Sequence, residues 1–221
     1  MSRSTKAWAV GGIAVVVAAH TLWRHRQAAD LHTELRRARY AALHDPLTGL
    51  SNRDGLLAHL HDLLSGDRPV WVLLGDLDRF KEINDNHGHG TGDRVLGEVA
   101  HRMRTVLRPE WTFARLHGDE FAGCGPGDLD TAITAAQAIR RAVGQQPMRL
   151  GTLDLNPVQM SIGVTVHRVG LSDAVLLRQA DLAMYEAKDT TDGVAAYRIN
   201  GADMVQVPVR PKLRDRDRRR R

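Results

Sequence analysis

The stretch RLHGDEFAG, residues 115–123, sets two carboxylates, Asp119 and Glu120, side by side at a turn between strand-like runs. Adjacent like charges repel unless a cation, a cationic side chain or water compensates them. The pair is therefore either a solvated hairpin tip or part of a charged site, and the residues around it bear on the choice. Asp76 follows the apolar run PVWVLLG, and Asp93 closes the glycine-rich stretch HGHGTGD. Lys81 and Asn84 stand three residues apart in RFKEIND, which puts them on one helix face. Lys188 ends the helical segment YEAK. Singly, each has an ordinary explanation: a loop cap at Asp76, a surface amide at Asn84, a cation at a helix C-terminus at Lys188. His87 and His89 read as structural and not as a zinc pair.

The elements that must hold these residues follow from periodicity and punctuation. A buried strand spans 70–74 with Asp76 just beyond its end, and Asp78 is placed to cap the helix after it. HGHGTGD reads as a loop, after which Val95, Leu96, Val99, Met103, Val106 and Leu107 mark a long amphipathic helix. A β-hairpin over 112–124 carries the two carboxylates. A helix over 131–143, a strand in QMSIGVTV, and a helix over 172–188 with Leu176, Ala180, Ala183, Met184 and Ala187 on its apolar face complete the series. This order predicts a single α+β sandwich, helices packed on a mixed or mainly antiparallel sheet, with no internal repeat.

Composition divides the chain into parts. The 221 residues carry a formal net charge of +5, but the first 26 contribute +4 and the last 12 contribute +6, leaving −5 for the body. An acidic body argues against a nucleic-acid-binding fold, so no nucleic-acid partner is expected. Cys124 is the single cysteine, which excludes an internal disulfide and suits a reducing compartment. Residues 7–23 hold no formal charge and are bracketed by Arg3, Lys6, Arg24 and Arg26, with Trp8 and Trp23 near the two ends. Seventeen residues are just long enough for a thin bilayer, which gives a single-pass anchor or, as the rival, a cleaved signal peptide. The excess of arginine after the segment puts the body on the cytoplasmic side of an inner or plasma membrane. Leu31, Leu35, Ala38 and Ala42 then form the seam of a short coiled coil, which Asp45-Pro46 ends. The expected division is an anchor at 1–26, a helical linker at 27–44, a folded α+β domain at 45–200 and a basic, disordered tail at 201–221.

Four blocks stand in fixed order: DPLTGLSNR, GDLDRFKEINDNHGHGTGD, RLHGDEF and ADLAMYEAK. Together they resemble the GGDEF family, the diguanylate cyclase domains, with a nucleotidyl-cyclase-like α+β sandwich. The resemblance implies an Mg²⁺-dependent transferase that joins two GTP molecules into cyclic di-GMP and works as a homodimer, because each site holds one GTP. By resemblance, Asp76, Asp119 and the Leu77 carbonyl are the metal ligands, hard oxygen donors of the kind Mg²⁺ takes. Asp119 and Glu120 are the catalytic acids of the signature. Asn84 and Asp93 meet the guanine edge, Lys81 and Lys188 the triphosphate, and Gly118 lets the backbone approach phosphate.

The chain departs from that pattern in three places. His117 stands where the signature begins with glycine, a residue that permits positive φ. Asp192 stands where a phosphate-clamping arginine is common, and Trp111 stands where the product-binding RxxD motif has its aspartate, leaving Arg108 alone. Two function classes follow: a membrane-anchored diguanylate cyclase, its activity weakened by His117 and Asp192, or an inactive module that binds GTP or a protein partner in cyclic di-GMP signalling. The membrane reading is tested by fractionation. The full-length chain is expected to stay with membranes through a carbonate wash and to migrate at its uncleaved size, whereas a soluble, shortened product identifies a signal peptide.

Overall fold

The structure, a computed structural model, describes residues 3–168 and 171–198, with side chains in the first helix described only at His20 and from Trp23 onward. Most side chains of the charge-free segment, and the whole basic tail, thus lie outside what is described. The chain divides into two units, residues 1–42 and 43–221. In the first, the helical linker expected at 27–44 is the end of one continuous helix, α1 (Arg3–Leu43). Leu31 and Leu35 of the expected seam are 62% and 66% exposed. Among the described residues no helix is long and apolar enough to cross a membrane.

The second unit is built on β1 (Val70–Leu77), whose run VWVLLGDL is buried on both sides, as a central strand requires. It lies between β3 (Glu120–Pro126) and β6 (Met160–Val166), antiparallel to both. β2 (Thr112–His117) extends the sheet beyond β3, and β7 (Val194–Ala196) adds a parallel edge beyond β6, giving the order β2-β3-β1-β6-β7. The mainly antiparallel sheet of the sequence reading is present. It misses the small separate hairpin of β4 (Met148–Leu150) and β5 (Leu153–Leu155), whose three-residue strands are too short to show a period.

Alternation along β1 sorts the core into two layers. Trp71, Leu73 and Leu77 face α4 (His89–Arg104) and α5 (Leu129–Gly144), where Val95, Val99, Met103, Ala136 and Ile139 meet Phe121 and Ile162. Val70, Val72 and Leu74 face α2 (Arg53–Leu64) and α6 (Asp173–Ala187), where Leu56, Leu60, Leu176, Ala180 and Met184 meet Ala122 and Cys124. Three helices start on side-chain caps: Asn52 accepts from Gly55 N–H, Asp128 from Thr131 N–H, and Ser172 from Val175 N–H. Burial pushes the Cys124 thiol up to about 12, so it packs as an inert small apolar group.

Local boundaries differ from expectation where tertiary pairing decides them. β1 runs past residue 74 because β3 and β6 supply partners as far as Asp76↔Glu120 and Leu77↔Met160, so Asp76 belongs to the ladder. Asp78 does not cap α3 (Phe80–His87); its carboxylate accepts from Ser161 Oγ at 2.8 Å, and the N-cap is Arg79, left-handed at φ 58°. The glycine-rich loop shrinks to Gly88, since α4 begins at His89, and that helix ends at Arg104, short of Val106 and Leu107. The apolar face of α6 is as read, with Leu176, Ala180, Ala183, Met184 and Ala187 all buried.

α6 sits unusually close to the sheet, because a Cβ added at Gly163 of β6 would come within 2.0 Å of Met184 N and 2.2 Å of Ala180 O. Backbone cannot yield as a side chain can. Gly163→Ala is expected to cost about 1–3 kcal/mol or more through overpacking, lowering the thermal midpoint by at least several degrees, as read by a melt followed by circular dichroism.

Candidate active site

Sheet register assembles the charged groups at one end of the sandwich. Asp76 on β1 is paired with Glu120 on β3, and Glu120 with His117 on β2, so the three residues form a row across neighbouring strands. Residues directly opposite in a ladder point to the same face. That face is the one covered by α2 and α6, as the neighbouring pairs Leu74↔Ala122 and Val72↔Cys124 show. Lys188, the C-cap of α6, is delivered to the same place, and its ammonium group pairs with Asp76 Oδ1. At the other end of the row, His117 Nε2 lies 3.2 Å from Glu120 Oε2. Each end of the carboxylate row therefore carries a basic side chain.

Asp119 stands in the turn between β2 and β3, and its carbonyl accepts from Leu77 N–H at 3.3 Å. Burial, and next the negative charge of Asp76, push the Asp119 carboxyl above the usual range, while Lys188 and His117 pull the other way. The two carboxylates are thus close enough to repel. Two aspartates and a nearby backbone carbonyl, Leu77, form an incomplete set of hard oxygen donors, suited to a divalent cation whose other ligands come from water or phosphate. Among the described residues no group of three or more His, Cys, Asp or Glu side chains is arranged to hold a metal ion by itself.

The left-handed residue of the signature turn is Gly118, at φ 51°, and not His117. His117 keeps strand geometry after a register shift between Arg115 and His117, so its bulk is carried outward, 68% exposed, without backbone strain. The positive φ that glycine would permit at position 117 is thus not used there in this turn. Space beside Gly118 is open to 4 Å. The turn is held from behind by Arg115, whose Nε donates to Gly118 O at 2.9 Å and whose Nη1 lies 3.2 Å from Asp45 Oδ2. Burial disfavours the Asp45 charge, but hydrogen bonds from Thr48 and the Arg115 guanidinium hold its carboxyl below the usual range. Sequence reading missed this brace, because no local pattern links Asp45 to a residue 70 positions away.

A second cluster lies where α3 meets α4. A Cβ added at Gly92 would fall 2.0 Å from Asn84 Oδ1, so glycine is what allows the amide to lie against the first turn of α4. Asp93 follows at once, exposed, and Lys81 stands exposed one turn before Asn84. The two expected guanine-facing groups are thereby brought to neighbouring positions. Asp192 lies elsewhere: it accepts from Val194 N–H at 3.4 Å and borders a cleft of about 390 Å³ shared with Arg140 and Arg141 of α5. Trp111 is buried, edge-on to Trp71, and Arg108 lies 4.7 Å above its ring. The expected lone phosphate-binding cation thus has an aromatic neighbour.

Because the folded-state carboxyl of Asp119 is raised, the favourable contribution of its protonated form is complete below the unfolded pKa and is lost as pH rises through the folded one. At neutral pH Asp119 is therefore a destabilising charge. Asp119→Asn is expected to raise the melting temperature of the metal-free protein at pH 7, with the gain vanishing near pH 3, as measured by melts across that range.

Comparison with known proteins gives a consistent picture. Residues 42–193 match the family model described as "Diguanylate cyclase, GGDEF domain". The chain is 36% identical over 192 residues to the bifunctional diguanylate cyclase/cyclic di-GMP phosphodiesterase MucR of Pseudomonas aeruginosa, covering 82% of this chain and 28% of that protein. It is 39% identical over 164 residues to the diguanylate cyclase TpbB of the same species, covering 70% of this chain and 37% of TpbB. The chain thus spans well under half the length of these curated relatives. Among solved structures, the coiled coil and GGDEF domain of DgcB from Caulobacter crescentus, in complex with c-di-GMP, superposes with a TM-score of 0.73 at 27% identity, covering 81% of this chain and 98% of that one.

Proposed function

Because the chain belongs to the GGDEF family of diguanylate cyclase domains, we propose that it is an Mg²⁺-dependent diguanylate cyclase that converts two GTP into cyclic di-GMP and two pyrophosphates, acting as a homodimer. The observation that carries the reading is the row of Asp76 and Glu120 across adjacent strands, with Asp119 beside it and Lys188 delivered to its edge. Asp76, Asp119 and the Leu77 carbonyl would hold Mg²⁺, which when bound neutralises phosphate charge and acidifies the attacking hydroxyl. Asn84 and Asp93 orient the guanine through its amide and amine edge. Lys81 and Lys188 receive the triphosphate, and the open space beside Gly118 lets its backbone approach. In each half-reaction one nucleotide's 3′-oxygen forms a bond to the other's α-phosphorus as pyrophosphate leaves. One such site holds one nucleotide, so two copies must face each other. The exposed Leu31 and Leu35 seam on α1 supports pairing through that helix.

Membrane attachment by residues 7–23, single-pass with the GGDEF domain in the cytoplasm, belongs to the same proposal. Its support is the uncharged run and the arginines that follow it. A second reading, a weak or inactive module that binds GTP or a protein partner, is favoured by one contact: His117 lies against Glu120, a carboxylate that the signature otherwise leaves beside glycine.

Incubation of the full-length chain with GTP and Mg²⁺, followed by chromatography, is expected to yield cyclic di-GMP, and Asp119→Asn to abolish it. His117→Gly is expected to raise the rate by up to about tenfold, equivalent to about 1.4 kcal/mol. GTP binding without product in both the parent and His117→Gly would establish the module instead.

A further inference from the structure

We propose that Lys188 is the resident counter-ion of the Asp76 carboxylate, and that a divalent cation and Lys188 compete for Asp76 until a nucleotide's phosphates take the lysine away. The inference rests on the cyclase reading and says how metal and nucleotide binding are coupled at that site.

The geometry makes the two partnerships exclusive. Lys188 is not a free surface cation: it is the C-cap of α6, its backbone N–H bonded to Glu186 O, and its side chain is only 27% exposed. The helix under it is fixed by close packing, because Ala180 and Met184 backbone atoms abut Gly163 of β6. Asp76 is fixed more firmly still, in the ladder of the central strand between Glu120 and Ser161, with a side chain 15% exposed. Neither backbone can shift, so the ammonium group meets Asp76 Oδ1 as the two elements are built. A divalent cation drawn to Asp76 and Asp119 would stand within ångströms of that ammonium group. Like charges at such a separation in a half-buried site repel strongly, so Lys188 must rotate outward before the metal can settle. A lone metal ion offers the displaced lysine nothing. A triphosphate offers it several negatively charged oxygens, and the flexible four-carbon stem allows that change of partner without moving α6.

Two consequences follow. Asp76 is kept paired and closed to bare metal, and metal binding becomes strongly dependent on nucleotide. By linkage the dependence is reciprocal. Replacing Lys188 should therefore have opposite effects on the two ligands, tighter for metal alone and weaker for nucleotide.

The test uses the full-length chain and Mn²⁺ as the probe, with free Mn²⁺ followed by electron paramagnetic resonance. Without nucleotide, Lys188→Met is expected to bind Mn²⁺ at least about tenfold more tightly than the parent, a gain of about 1.4 kcal/mol, whereas Lys188→Arg, which keeps the cation, is expected to match the parent. Adding Asp76→Asn to Lys188→Met should remove the gain. In melts without nucleotide, Mn²⁺ should raise the midpoint of Lys188→Met and leave the parent unchanged, a readout that also reports whether the variant is folded. Equal or weaker Mn²⁺ affinity in folded Lys188→Met overturns the proposal, as does equal tightening in Lys188→Arg. A parent that binds no Mn²⁺ even with a non-hydrolysable GTP analogue present overturns the underlying metal-dependent cyclase reading instead.

Discussion

The burial of Asp119 beside the charge of Asp76, with Glu120 held opposite Asp76 in the ladder, is the constraint around which the site end of this protein is organised. Carboxylates brought together on adjacent strands cannot stay ionised and half-buried without compensation. The Asp119 carboxyl is raised first by burial and then by the Asp76 charge, and the contacts from Lys188 and His117 supply basic partners to Asp76 and Glu120. Such a row exists because the strands fix it: antiparallel register leaves Asp76 and Glu120 no freedom to separate. Stability is given up at this place so that a cation with phosphate ligands can recover it, the usual relation between a charged site and the fold that bears it.

The rest of the second unit reads as support for that row. Two apolar layers clamp β1 from both faces, and a side-chain-free position at Gly163 lets α6 approach closely enough for its C-terminal lysine to reach the end of the sheet. Arg115 serves the hairpin in a similar way, using a planar guanidinium to span from the Gly118 carbonyl to the Asp45 carboxylate. A lysine could not make both contacts with one nitrogen in the same geometry. Gly92 does for Asn84 what Gly163 does for α6, removing a side chain so that another group can come close.

Much of this was legible in the residues. Helix α6 was readable because Leu176, Ala180, Ala183, Met184 and Ala187 keep helical spacing between a serine cap and a lysine, and the hairpin because two strand-like runs flank HGDE. Errors arose where distant partners overrode local signals. Asp76 looked like a loop residue since nothing nearby in sequence announces Glu120 and Ser161 as its ladder neighbours. Asp78 looked like a cap until Ser161 claimed its carboxylate, and HGHGTGD looked like a loop because three glycines weigh against helix although tertiary packing accommodates two of them in α4. At His117 the limit is subtler: the signature places two glycines together, and sequence alone does not say which of them bears the left-handed turn. Only a backbone assigns that to Gly118.

The central strand also sets a difficulty for biosynthesis. β1 ends at Leu77, but its second partner, β6, is complete only at Val166, with Asp76 waiting for Ser161 and Leu73 for Val164. At bacterial-to-eukaryotic rates of roughly 5–20 residues per second, the interval is on the order of five to twenty seconds. Throughout it, the apolar run VWVLL has at most one neighbouring strand and an open hydrogen-bonding edge, the condition in which chains pair with one another. In domains of this architecture the central strand therefore stays unpaired on one side longest, and residues 70–74 are the stretch whose shielding during synthesis matters most.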